Sequence, residues 1–241
     1  THPGQSALIL LVGETKGDIA KKVLQVVEEY GPQAETDRIK IRIYGKEERF
    51  AGSPGKKWSL RLGLQVAEAL NARIFTVVDG DMSINEDWIP KILAPFDGGE
   101  VQYVSPNYIR YYGRDDVGMI SLFTFPLFSA MFGKGMRFPN AGEFAVSRSL
   151  FHNFLSDNDI SASALSYEEQ YAAVALAKGA SVQDVWLGEK MHKKNPPVTT
   201  LDAYFKVAAG IFFEQIDKHR DWWDTKAGNA DIEGIGINGP P

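Results

Sequence analysis

Apolar and polar positions divide the chain into short runs that alternate between strand and helix. Ala7-Leu8-Ile9-Leu10-Leu11-Val12 is apolar throughout and Gly13 closes it. A continuous run of this kind predicts a strand covered on both faces, as in parallel sheets. Ile19, Val23, Val26, Val27 and Tyr30 then recur at spacings of 4, 7, 8 and 11, one stripe of a helix that Gly31-Pro32 would stop. Ile39-Lys40-Ile41-Arg42-Ile43-Tyr44 alternates with period two, a strand nearer an edge. The polar stretch from Gly45 to Gly55 reads as a loop.

The same alternation continues downstream. Leu60, Leu64, Ala67 and Leu70 mark a helix that Asn71 would end. Ile74-Phe75-Thr76-Val77-Val78 is a second buried strand, running into Asp79-Gly80-Asp81. Strands are expected at Val101 to Val104, Glu143 to Val146 and Val182 to Leu187. Tyr167 to Lys178 is Ala-rich and helical, with Gly179 as its stop. Leu201, Phe205, Ala208, Phe212 and Ile216 form the stripe of a last helix. The segment Gly228 to Pro241, rich in Gly and Pro, reads as a mobile tail or a cut through a longer protein.

Strands alternating with helices predict the α/β class: a mostly parallel, doubly wound sheet with flanking helices and a C-terminal helical extension. We divide it into residues 1–198, the α/β domain, and 199–241, the last helix and tail. In such sheets ligands bind beyond the carboxyl ends of the strands, which places Gly13-Glu14-Thr15 and Asp79-Gly80-Asp81 on the functional rim.

Composition narrows the classes. The 241 residues are 44% hydrophobic and 24% charged, a globular balance that excludes a disordered chain. A net charge of −5 argues against a general nucleic-acid binder. There is no cysteine, so disulfides and thiolate chemistry are out and a cytoplasmic setting fits. No apolar run reaches the ~18 residues of a transmembrane helix, and Thr1-His2-Pro3-Gly4 does not read as a signal peptide.

Five segments could carry chemistry. Asp79-Gly80-Asp81 sets two carboxylates two apart after a buried strand. Oxygen donors of this kind suit Mg²⁺ with substrate phosphates, and Gly80 permits a close backbone approach; a polar turn is the plainer reading. His192, past the last strand, could complete such a site and favour Mn²⁺, or be a surface His beside Lys193 and Lys194. His2, His152 and His219 read as structural or solvated. Glu168 and Glu169 open the Ala-rich helix, where the macrodipole favours acids in any case. Neighbours on a helix diverge by about 100°, so only one of the two can face a site. Ser53-Pro54-Gly55-Lys56-Lys57 could meet phosphate, though it is no P-loop. In Pro139-Asn140-Ala141-Gly142-Glu143, small residues would let a ligand reach the backbone.

In order, these segments resemble the retaining glycosyltransferases of GT-A fold that make glucosylglycerate, mannosylglycerate and glucosyl-3-phosphoglycerate. The resemblance runs from about Ser53 to about Trp223. Pro54-Gly55-Lys56 is similar to the family's Pro-Gly-Lys-Gly, and Val77-Val78-Asp79-Gly80-Asp81 to its Val-Val-Asp-Ser-Asp. Ser105-Pro106-Asn107-Tyr108-Ile109-Arg110 and Phe125-Pro126-Leu127 with Phe132-Gly133-Lys134 are similar to two further stretches. Pro139 to Glu143 resembles a Pro-x-Ala-Gly-Glu loop, and Leu187-Gly188-Glu189-Lys190-Met191-His192 a Leu-Gly-x-x-x-His ending.

The resemblance implies roles. Asp81 and His192 would bind a divalent cation, Mg²⁺ or Mn²⁺, with Asp79 holding the ribose or a metal-bound water. Lys56, with Asp79, Gly80, Gly13 and Glu14, would contact a UDP- or GDP-hexose. Asn140, Ala141, Gly142, Glu143 and Arg137 would line the pocket of a small anionic acceptor, glycerate or 3-phosphoglycerate. Arg110, Lys134, Lys193 and Lys194 are further cations for it. Glu168 would sit near the transferred sugar and, with Asp81, belong to the catalytic set. A catalytically impaired sugar-nucleotide-binding protein of the same fold, or an enzyme acting on a lipid-phosphate acceptor, is the alternative. A homodimer is compatible with the last apolar helix.

Overall fold

The computed structural model describes residues 7–13, 21, 22, 24, 25, 28, 29, 32, 39–45, 56–80, 82–109, 120–156, 168–192 and 201–222. The chain divides into two compact units, Thr1–Val66 and Ala67–Pro241. In the first, β1 (Ala7–Gly13) and β2 (Ile39–Gly45) pair in parallel, in unbroken register from Ala7 opposite Ile39 to Gly13 opposite Gly45. Between them Lys21, Lys22, Leu24, Gln25, Glu28 and Glu29 are helical and exposed, the complement of the apolar stripe, and Pro32 is helical too. A crossover of this kind is what a parallel pair requires.

Helix α1 (Lys56–Ala69) leads out of the first unit and buries Leu60, Leu64 and Ala67, spaced as one helical face. It ends where expected. Asn71 has φ 56°, the Ala72 N–H donates to the Ala67 carbonyl at 2.8 Å and the Asn71 N–H to that of Glu68 at 3.0 Å. This crossed pair satisfies carbonyls that the helix end would otherwise leave open.

The second unit is built on a sheet of β3 (Ile74–Val77), β6 (Phe144–Ser147), β5 (Tyr103–Ile109) and β7 (Val182–Glu189), in that spatial order. β6 runs against both β3 and β5, whereas β5 and β7 are parallel. Three strands therefore point one way and β6 alone reverses. A four-residue apolar strand reads the same in either direction, so the sequence cannot announce that reversal. A separate two-residue ribbon joins β4 (Met82–Ser83) to β8 (Met191–His192), antiparallel.

Helices cover the sheet: α2 (Trp88–Leu93) with a 3₁₀ turn over Ala94–Gly98, a π-turn over Ile120–Thr124 running into α3 (Phe125–Phe132), α4 (Arg148–Ser156), α5 (Glu168–Ala177) and α6 (Leu201–Lys218). Strand period two sorts the core into two faces. Val104, Tyr108 and Ala145 pack with Trp88, Ile92 and Phe138 on one. On the other, Tyr103 stacks on Phe144 at 5.7 Å, Phe144 on Tyr171 at 5.7 Å, and Phe154 meets Tyr171 edge-on at 5.0 Å. α6 buries Ala209, Ile211, Phe212 and Gln215, whereas Phe205 of the expected stripe is exposed and meets only the Phe123 ring, at 5.0 Å, among the aromatic contacts described. Trp222 packs on Phe132 at 5.2 Å. Among the described residues no helix is long and apolar enough to cross a membrane. The Gly228–Pro241 tail lies outside the described residues.

Candidate functional site

The site begins where β3 ends. Val78 and Asp79 follow it, half-buried, with Gly80 exposed. Asp81 lies outside the described residues, and β4 starts at Met82. Met82 is the cross-strand partner of His192, and Ser83 that of Met191. The backbone of His192 thus stands beside the residue that follows the acidic pair, although more than a hundred positions separate them in sequence. The His192 side chain lies outside the described set.

The glycine loop closes on the same point. Phe138 accepts a bond from the Ala141 N–H at 3.1 Å, a tight turn that presents Gly142. A Cβ built on Gly142 would overlap Oδ2 of Asp79 and stand 2.7 Å from Oδ1. Only glycine allows this approach. Asn140 is half-buried, Ala141 and Gly142 are buried, and the Arg137 guanidinium lies 4.8 Å from the Phe125 ring centroid.

Behind Gly142, Glu143 is 0% exposed. Lys190, 6% exposed, donates to its Oε2 at 2.8 Å and Oε1 at 2.9 Å, and to the Tyr108 hydroxyl oxygen at 3.2 Å. The Tyr108 hydroxyl in turn donates to Glu143 Oε2 at 3.3 Å. Tyr108 is held between Trp88, stacked at 6.1 Å, and Phe138 at 4.4 Å. A bulge delivers Lys190 to this spot. Asn107 pairs with Trp186 but Ile109 with Glu189, so Tyr108 faces both Leu187 and Gly188. Gly188 takes φ 81°, a left-handed conformation that glycine adopts at no steric cost. The Lys190 N–H then donates to the Ile109 carbonyl at 2.9 Å.

A second acidic group gathers on the other face of the sheet. Asp184 of β7 sits opposite Ser105 of β5 and is buried. Burial pushes its carboxyl up to about 7, against a weaker downward pull from the Arg137 backbone and the Ser105 hydroxyl. These two contacts fall short of good hydrogen-bond geometry: among the described residues both carboxylate oxygens and the Ser105 hydroxyl lack a well-aligned partner. The Tyr103 phenol is raised well above its ordinary value, by burial first and then by the fields of Glu168, Glu169 and Asp184. Glu168 is buried at the start of α5. Glu169 lines a narrow, mostly apolar crevice whose walls include Phe128, Phe132, Phe212 and Gln215. Glu168 does not line it, so the two neighbours diverge as the helical turn requires.

The structure brings together Asp79, the Gly142 loop and the backbone of His192. Gly13 closes β1 and Lys56 opens α1, both at the ends of elements in the first unit, and the Lys56 side chain is not described. Glu14, Arg110, Lys193 and Lys194 lie outside the described residues, as does His2. His152 pairs with Glu68 at 3.0 Å, a partner 84 positions away that local spacing could not reveal. Lys190 and Asp184 were not legible as site residues. The one available signal for Lys190 is its spacing of two from His192, the period of an extended strand.

Among the described residues no three His, Asp or Glu side chains form a metal cluster; Asp81 and the His192 imidazole are outside that set. The donor chemistry still fits a divalent ion. The Asp79 carboxylate lies against a loop that has no side chain at Gly142, and the backbone of the segment carrying the His192 imidazole pairs with Met82 alongside.

No family model matches the chain, and no curated protein matches it by sequence. Solved structures do. Glucosyl-3-phosphoglycerate synthase from Mycobacterium tuberculosis, in complex with Mn²⁺, UDP-glucose and phosphoglyceric acid, superposes with a TM-score of 0.61 at 17% identity, over 90% of this chain and 80% of that one. The same enzyme with Mn²⁺, UDP-glucose and glycerol 3-phosphate gives 0.57 at 16%, over 90% and 81%. TarS 1-349 from S. aureus, in complex with UDP-GlcNAc, gives 0.51 at 16%, over 86% and 56%. At such identity the likeness establishes the fold, and the chain has the α/β, GT-A-like fold expected from its sequence.

Proposed function

We propose that this chain is a metal-dependent retaining glycosyltransferase that moves a hexose from a nucleotide diphosphate sugar to a small hydroxy acid of the glycerate or 3-phosphoglycerate type. The observation that carries the reading is the pairing of His192 with Met82, which sets the His192 backbone beside the segment that carries Asp79 and Asp81 in sequence. The fold it shares with a UDP-glucose-binding synthase supports it.

In this reading Asp79, Asp81 and His192 hold Mn²⁺ or Mg²⁺, and Lys56, Gly13, Glu14 and Gly80 meet the nucleotide sugar. Asn140, Ala141, Gly142 and Arg137 line the acceptor pocket, with Glu143 closing the loop from behind. The bond between the anomeric carbon and the diphosphate breaks, and negative charge grows on the leaving group. A divalent ion, when bound, stabilises that charge as a Lewis acid. The acceptor hydroxyl attacks from the leaving-group side and passes its proton to a diphosphate oxygen, so no strong side-chain base is needed. The glycine loop supplies the proximity that makes this attack effectively unimolecular. Glu168 orients the sugar or stabilises its developing positive charge.

A thermal-shift panel of UDP, GDP and ADP with and without Mn²⁺ tests the reading, because a ligand that binds only the folded state raises apparent stability. We expect a metal-dependent shift with UDP or GDP, transfer of hexose to glycerate or 3-phosphoglycerate, and loss of that transfer in Asp81→Ala with the melting temperature preserved. A shift without transfer to any acceptor would favour the impaired binding protein. No shift with any nucleotide removes both.

A further inference from the structure

We propose that the buried Lys190–Glu143 ion pair positions the candidate metal site by tying the glycine loop to the strand that carries His192. The inference rests on the glycosyltransferase reading above and assigns a role to a residue that reading does not use. Three contacts carry it. Gly142 abuts the Asp79 carboxylate; Glu143, next in chain, is gripped by Lys190; and His192, two residues after Lys190, pairs with Met82, which follows Asp81. These links close a circuit through the acidic pair, and the ion pair is its charged joint. Lys190 meets both carboxylate oxygens and the Tyr108 hydroxyl, while its own backbone N–H is tied to Ile109. The ammonium is thus fixed in direction as well as in place.

The energetics agree with a positioning role. Burying two charges costs desolvation that their attraction seldom exceeds by much, so apolar or neutral replacements of similar volume are commonly as stable as the pair. What such replacements lack is a directional joint with three short bonds. Lys190 and Glu143 are therefore positioning residues. They act through Gly142 and His192; for Glu143, 0% exposed and bonded to Lys190 through both oxygens, this stands in place of the acceptor contact expected from the sequence.

The test separates the joint from mere packing. The double variant Lys190→Met/Glu143→Gln keeps the volumes and leaves no lone charge buried. We expect its melting temperature to stay within a few degrees of the parent, while Mn²⁺ affinity falls at least tenfold, measured by the free-ion EPR signal with Mn²⁺ alone and with UDP or GDP. Lys190→Met/Glu143→Leu serves if the first does not fold, with the same expected loss. Parent-like Mn²⁺ affinity in a folded double variant overturns the positioning role and leaves the glycosyltransferase reading standing. A parent that binds no Mn²⁺, with or without nucleotide, overturns both.

Discussion

Gly142 lies against the carboxylate of Asp79 with no room for a β-carbon between them. Gly142→Ala must push Asp79 aside or lift the loop that leads into β6. Overpacking of this kind costs about 1–3 kcal/mol, so the variant should fold with a lowered melting temperature. Nucleotide-dependent Mn²⁺ binding should fall by an order of magnitude or more, read by EPR. Gly80→Ala is the control for stability alone, because a β-carbon there meets no atom of the described residues within 4 Å. Its melting temperature should match the parent's. If Gly80 meets the nucleotide, binding of UDP or GDP will weaken with no loss of stability. A Gly142→Ala variant that binds metal as the parent does would show that the contact with Asp79 is not needed.

Tyr108→Phe isolates the hydroxyl that bridges Lys190 and Glu143. The ring keeps its contacts with Trp88 and Phe138, so packing is unchanged. The hydroxyl bonds two charged groups in a buried place, where a hydrogen bond contributes about 1.5–3 kcal/mol. The carboxylate keeps its two bonds from Lys190, which places the expected loss at the lower end. Urea unfolding with an unchanged m-value checks it; a loss below about 0.5 kcal/mol would mean the hydroxyl is idle.

Lys190→Met by itself should be far more damaging. It leaves the Glu143 carboxylate, 0% exposed, with the Tyr108 hydroxyl as its remaining side-chain hydrogen-bond partner among the described residues. Breaking one side of a buried pair costs about 3–5 kcal/mol. Adding Glu143→Gln should return most of it. Chemical denaturation of both variants measures the difference; equal stabilities would mean that Glu143 takes up a proton or reaches water once Lys190 is gone.

Where the sequence spoke clearly, it spoke through periodicity. The apolar run at Ala7 to Val12 and the alternation at Ile39 to Tyr44 are β1 and β2, paired in parallel, but Ala7 and Ile9 are exposed, so the expected cover on both faces of β1 is missing at these residues: an unbroken apolar run shows a strand and not what packs on it. The Leu60, Leu64, Ala67 face and the Asn71 stop of α1 are present, whereas Leu70 of the expected stripe lies past the end of the helix and is 58% exposed. What could not be read is what periodicity does not encode. β4 and β8 are two residues each, too short for any period, yet their pairing sets His192 beside Met82. The Lys190–Glu143 bond spans 47 positions and depends on a bulge at Gly188. Asp184 looked like any polar residue in the last strand. Its burial opposite Ser105 comes from strand order, which places β7 against β5 although other elements separate them in sequence.

That buried Asp184 makes a prediction about pH. Its carboxyl is raised from 3.8 to about 7, chiefly by burial, with Ser105 and the Arg137 backbone pulling weakly the other way. The neighbouring Tyr103 phenol, raised first by burial, also feels the fields of Glu168, Glu169 and Asp184, so a charge on Asp184 adds to other acids nearby. Between the two values the folded chain holds a proton on Asp184 that the unfolded chain has released. Stability from this group is therefore complete below about pH 4 and is lost as pH rises through about 7, in full on the order of 4 kcal/mol. Asp184→Asn removes the titration but keeps the shape. The variant's melting temperature relative to the parent should rise between pH 5 and pH 8, because only the parent then has a charge to bury. Differences of equal size at the two pH values would mean that Asp184 keeps an ordinary acidity, and that water or a movement of β7 reaches it in solution.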